Sequence, residues 1–228
     1  MQHLRATLGA IAAATAVLTA SHGFAQAPHG RARAEGDALL AQASASDLFD
    51  NITADDAQDI KLRHKASGLL CIFNLAQPSN RVVVFDGPER GGDIACATGG
   101  AAGERTLYAS HTPGRTLADA FAHDLGDVNR SHPGAEPYSF PPGTESPILQ
   151  MLALPPMPPS KTARFIVDHT FTSVSSAVVR DWSLEFRFTC PEEHQDEAAV
   201  VVQPTLWITI LAQVSGAPID LVSPKLAI

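Results

Sequence analysis

Trp182-Ser183-Leu184-Glu185-Phe186-Arg187-Phe188-Thr189-Cys190 alternates apolar and polar side chains without a break. Successive side chains of a strand point to opposite faces, so Trp182, Leu184, Phe186, Phe188 and Cys190 make one apolar face, with Ser183, Glu185, Arg187 and Thr189 on the other. This is the pattern of an antiparallel sheet that is packed on one side and wet on the other. The reading for the whole chain follows from it: a single α+β domain on a mostly antiparallel sheet.

The neighbouring sequence extends that sheet. Lys161 to Thr172 and Ala177 to Cys190 carry strand patterning, as do Gly68 to Leu75, Arg81 to Asp86, Asp93 to Thr98 and Arg105 to His111. The short Gly-, Pro- and Asn-bearing links between the last four favour antiparallel neighbours, since a parallel crossover needs a dozen residues or more. A meander is expected there. Asp47 to Thr53 and Ile60 to Lys65 flank the turn-like Ala54-Asp55-Asp56 and read as a first hairpin. Thr116 reads as a helix N-cap with Asp119 three residues on, and Leu117, Phe121, Leu125 and Val128 recur at helical spacing, which predicts an amphipathic helix laid on the sheet.

Between that helix and the later strands, Pro133 to Pro159 holds nine of the 17 prolines, too many for regular helix or interior strand. Residues 133–160 are therefore expected to be a surface connector, Pro155-Pro156-Met157-Pro158-Pro159 included. Ala198 to Ile219 carries no charge but contains Gln203, Pro204, Gln213 and Pro218, and reads as a buried, Pro204-interrupted C-terminal helix rather than a membrane span.

The chain has 228 residues, 45% hydrophobic and 18% charged, with a formal net charge of -8. Folding at that length hides roughly 70% of the surface, enough for one core. The negative charge argues against nucleic acid or an anionic membrane surface as partner. Met1 to Arg5 followed by the uncharged run Ala6 to Ala20 and by Gly23-Phe24-Ala25 has the three parts of a secretory leader, with cleavage after Ala25. The apolar run is too short to cross a bilayer, which needs roughly 20 residues. The expected organisation is thus a leader over 1–25, a flexible or partly helical mature start over 26–46, and the domain over 47–228. The location is periplasmic or secreted, with no integral membrane segment in the mature chain.

An oxidising compartment lets thiols pair, and three cysteines leave one over. Cys71 and Cys96 lie in apolar runs expected on neighbouring strands and are the expected disulfide. Closing their loop is worth about 3.5 kcal/mol of chain entropy. Cys190 ends an apolar face and reads as a small buried hydrophobe rather than a nucleophile.

Motifs of known chemistry are sparse. The sequence holds no Gly-rich phosphate loop of P-loop or dinucleotide type, no G-x-S-x-G, no H-E-x-x-H and no C-x-x-C. Asp119, His123 and Asp127 share one helix face at i, i+4 and i+8, a spacing that suits a transition metal, with His111 and His132 as further donors. The alternative is a solvated face with a weak Asp–His pair. His194 sits among acidic residues at a helix start. His169 is expected to face inwards with Phe165, Val167 and Phe171, a buried imidazole open to a functional role, and His64 is a candidate of the same kind.

His64-Lys65-Ala66-Ser67-Gly68-Leu69-Leu70-Cys71, then Phe85-Asp86, Gly92-Asp93-Ile94-Ala95-Cys96 and Thr106-Leu107-Tyr108, resembles a pattern of small exported bacterial proteins of unknown function. The resemblance spans His64 to Phe121, and Ile72 stands where several members carry Pro. It implies a bacterial, envelope-facing α+β protein with Cys71 paired to Cys96, and no activity or catalytic residues. Two functions are open at this point: a non-catalytic exported domain with an envelope or extracellular ligand and no cofactor, and a metal-dependent hydrolase using Asp119, His123 and Asp127.

Overall fold

The computed structural model describes residues 30–75, 77–100, 103–139 and 157–216. The expected leader over 1–25 and most of the Pro-rich connector lie outside them. The described chain is an α+β domain with ten strands, all paired antiparallel, in two sheets. Helix α1 (Arg31–Gln42) precedes a three-stranded sheet of β1 (Phe49–Asn51), β2 (Asp59–His64) and β3 (Leu70–Asn74). The seven-stranded sheet joins two meanders. The first is β4 (Arg81–Val84), β5 (Asp93–Gly100) and β6 (Gly103–His111). The second is β7 (Glu136–Pro137), β8 (Ser160–Val167), β9 (Thr170–Val179) and β10 (Trp182–Pro191). They meet where β10 pairs with β6, Phe186 opposite Leu107. Gly103, with φ 121°, starts β6 beside β10, where a Cβ would lie 2.1 Å from the Thr189 carbonyl oxygen.

The inward face of β10 is as the alternation requires: Leu184, Phe186, Phe188 and Cys190 are buried in the main core with Trp182. Against that face lie the three-stranded sheet, through Ile60, Leu62, Cys71 and Phe73, and the C-terminal helix, through Trp207, Leu211 and Val214. The outward face is not wet. Helix α2 (Leu117–Ser131) covers β8, β9 and part of β10, leaving Ser183 buried and Glu185 and Arg187 half-buried. The helix turns Ala120, Asp124 and Val128 to the sheet, and a second small core of Val128, Phe165, Val167 and Val174 forms there.

The expected run of neighbouring strands breaks between β3 and β4, where the chain leaves one sheet for the other. Asn80, 7% exposed, fixes the crossing: its amide donates to the Asn74 carbonyl at 2.7 Å and its Oδ1 accepts from the Thr98 hydroxyl at 2.6 Å. Cys71 and Cys96 do form the disulfide, with Cα atoms 5.9 Å apart, but they sit on strands of different sheets, so the bond staples the layers rather than two neighbours. Cys190 is buried and free, and burial pushes its thiol up to about 11. Peptide mapping without reduction should return a Cys71–Cys96 bridge and a Cys190 thiol that alkylates only after unfolding. A bridge to Cys190 would contradict this layering.

Where a flexible or partly helical start was expected over 26–46, Arg31–Gln42 is helical and docked. Gly36 makes the approach possible, since a Cβ there would meet Asn51 Nδ2 at 2.8 Å and Ile60 at 2.9 Å. The Asn51 amide donates to the Arg33 carbonyl and to Asp37 Oδ1. At the other end, Glu192–His194 is a 3₁₀ turn, followed by α3 (Gln195–Glu197), a π turn over Ala198–Val202 and α4 (Gln203–Ser215). Pro204, in the first turn of α4, lacks an N–H and crowds the carbonyl four residues back, which the wider π turn relieves. Among the described residues no helix is long and apolar enough to cross a membrane.

Candidate functional site

The residues singled out in the sequence have structural partners. Asp119 belongs to the start of α2: its backbone N–H donates to the Thr116 hydroxyl oxygen, whose own proton goes to Asp119 Oδ2 at 2.7 Å. Thr116→Ala should therefore cost about 1 kcal/mol in a denaturant melt. His123 Nδ1 lies 3.9 Å from Asp127, but Asp127 also carries Arg130 and, at 3.5 Å, Arg187, so its charge is already met by two guanidinium groups. His132 caps the far end of α2, and His111 pairs with Glu89. Among the described residues no group of three or more His, Cys, Asp or Glu side chains is placed to hold a metal ion, so the Asp119, His123, Asp127 set does not assemble.

His169 does not face inwards. The stretch read as one strand reverses at Asp168-His169, a two-residue hairpin loop with φ of 45° and 61°, and Val167 pairs with Thr170 across it. The imidazole is 96% exposed and rests on Glu192 at 3.0 Å. His64, by contrast, is buried. Its Nδ1 accepts from the Ser67 N–H at 3.3 Å and lies 2.9 Å from the Ser67 hydroxyl, so the ring proton resides on Nε2. Leu69 N–H donates to the same Ser67 oxygen, which closes the β2–β3 turn. Phe49 and Trp182 pack on the ring at 5.0 and 5.4 Å, and burial pulls its pKa down to about 4. It is a neutral core histidine.

The layer between α2 and the sheet holds a charged cluster. Asp124, 7% exposed, accepts from the Ser176 hydroxyl at 2.6 Å. Beside it, burial pushes the Glu185 carboxyl up to about 6, with Asp124 and Asp127 adding to the rise and a hydrogen bond from Arg187 opposing it. Ser176, Asp124 and His123 run hydroxyl, carboxylate, imidazole. Nucleophile activation needs the imidazole in the middle, so this row cannot deprotonate the serine.

A second polar cluster lies on the inward face, where the core should continue. By register, Thr162 and Arg164 of β8 and Ser173 and Ser175 of β9 point the same way as Phe171 and Ala177. Gln203, 1% exposed at the start of α4, lies across them. It accepts from the Arg164 guanidinium at 3.3 Å and donates to the Ser175 hydroxyl oxygen at 2.7 Å, and that oxygen is 2.8 Å from the Thr162 hydroxyl. Ser173, opposite Arg164, and Ser175 are fully buried, whereas Thr162 and Arg164 are half-buried. The cluster thus runs from a rim on β8 to a floor under α4. At the rim, the Tyr138 hydroxyl donates to Asp196 at 2.8 Å and its ring packs edge-on against Phe171. Sequence reasoning missed this cluster. Its signal was Ser173 and Ser175 at inward positions between Phe171 and Ala177.

Set against known proteins, the chain matches no family model, no curated protein and no solved structure.

Proposed function

We propose that this chain is an exported, non-catalytic binding domain of the bacterial envelope, which holds a small polar ligand at the polar cluster shared by β8, β9 and α4. The observation that carries the reading is Gln203 with its partners: a buried amide, two buried serines and an arginine placed where every other inward position of β10 and most of β9 is apolar. Polar groups buried in a core weaken it unless their hydrogen bonds are met, and a group of four that reaches the half-buried Arg164 suits recognition better than packing. The disulfide between the sheets fits an oxidising compartment. The commitments of Asp119, Asp124, Asp127 and His64 to caps, ion pairs and turns support binding over catalysis.

The test is a melting-temperature screen of the chain purified from the periplasm against sugars, amino acids, peptidoglycan fragments, carboxylates and phosphates, repeated with Gln203→Leu. A rise with one ligand class that Gln203→Leu abolishes is the expected result. No rise with any class, or a rise that the variant keeps, would overturn the reading.

A further inference from the structure

We infer that the outer edge of β4 is an interface between two copies of this chain, which pair β4 with β4 antiparallel about a two-fold axis and join their seven-stranded sheets into one. The two edges of that sheet are built differently. One is β7, two residues long, whose Glu136 is exposed and whose Pro137 has no N–H to offer, the usual protection of an edge against pairing. The other is β4, which pairs with β5 alone among the described residues and runs Val82-Val83-Val84 without charge, proline or bulge. Phe85, just past its end, is 42% exposed, the most exposed large apolar side chain among the described residues.

Backbone alternation decides which groups point outwards. The Phe85 N–H donates to the Asp93 carbonyl at 3.0 Å, so Phe85 and Val83 turn their backbone groups to β5, and Val82 and Val84 turn theirs to the outer edge. With Val83 on the axis, Val82 exchanges hydrogen bonds with Val84 of the second copy, and the exposed Arg81 stands directly across from Phe85 of the second copy. Arg81, Val83 and Phe85 share the outward face of the sheet, where Phe85 stacks on Tyr108 at 6.3 Å. Side chains stand closest in the pairs without backbone hydrogen bonds, so each guanidinium meets the partner's ring. Centring on Val84 instead would set Arg81 against Gly87 and lose that contact. The edge is thus complementary to itself, whereas an unrelated extended peptide would match only its backbone.

Sedimentation velocity of the purified chain from about 1 to 200 µM measures the equilibrium for the wild type and for Val83→Lys. Val83 is half-buried on the outward face, so a single chain accommodates lysine, while the dimer would set two like charges across the axis. The expected result is a dimer whose Kd rises about tenfold or more in the variant. A chain that stays monomeric throughout, or a dimer equally strong in Val83→Lys, would overturn the inference. Val83→Cys and Glu136→Cys keep it testable if Val83→Lys fails to fold. With oxidised glutathione as oxidant, Val83→Cys should give a disulfide-linked dimer on a non-reducing gel, because the two Cα atoms would stand about 4.5 Å apart, within disulfide reach. Glu136→Cys, on the opposite edge, should stay largely monomeric. Equal cross-linking of the two variants, or none in Val83→Cys, would show that β4 does not pair with itself.

Discussion

Phe186→Ala should lose about 3–5 kcal/mol of stability, which is much of the margin by which a domain of this size stays folded. Phe186 is 2% exposed at the centre of β10. It faces Leu107 and Ser175 on the flanking strands, and its ring stacks on Trp207 with the two planes 6° apart. The deletion would open a cavity among three elements and loosen α4 from the sheet. The neighbouring position gives the contrast. Arg187 ties Glu185 and Asp127 together and lies over the Tyr108 ring at 5.2 Å. Arg187→Ala should cost about 1–3 kcal/mol, because it leaves the half-buried Glu185 carboxyl without its cation. A truly wet face would tolerate the change within about 0.5 kcal/mol. Urea melts of both variants separate these cases. A loss below 1 kcal/mol for Phe186→Ala would refute the placement of β10 at the centre of the core.

The period of β10 and the capped start of α2 were legible because each is a local signal. What the sequence hid depends on partners far along the chain. The helical spacing of Leu117, Phe121, Leu125 and Val128 points that face to the sheet, although Ala120, Asp124 and Val128 are the buried residues of the helix. The helix is held over the outer face by the Asp124 hydrogen bond to Ser176 together with the packing of Val128 on Phe165, Val167 and Val174. The strand runs around Asp168-His169 and Arg180-Asp181 were read through, because neither two-residue loop contains the Gly or Asn-Gly that usually marks a hairpin, and His169 was carried inwards with them. The disulfide was legible as a pair, but its position was not, since nothing near Cys71 reports that Asn80 switches sheets. The inward polar cluster escaped for a related reason: Ser173 and Ser175 break the apolar alternation that identifies a strand, so the residues that make the cluster are the ones that blur the strand pattern.

Acid should destabilise the protein less than its buried histidine alone demands, and a single substitution should expose the difference. His64 has an ordinary pKa of 6.5 and, buried, about 4. The unfolded chain therefore takes up a proton between those values while the folded chain does not. Stability from this group is complete above pH 6.5 and falls as the pH drops toward 4, by about 3 kcal/mol. Glu185 has the opposite sign. Its carboxyl moves from 4.5 to about 6, so between pH 6 and 4.5 the folded chain takes the proton first and gains about 2 kcal/mol. The windows overlap, and from these two groups the wild type should lose only about 1 kcal/mol between pH 7 and 4. Glu185→Gln removes the compensation and should lose about 3 kcal/mol over the same interval, whereas His64→Gln should gain about 2 kcal/mol relative to its own value at pH 7. Denaturant melts of the three proteins at pH 7, 5.5 and 4 measure this directly. Because other titrating groups are common to all three, the differences between the curves carry the result. Parallel curves would show that His64 protonates without cost, which its place between Phe49 and Trp182, with Nδ1 already accepting from Ser67, does not allow.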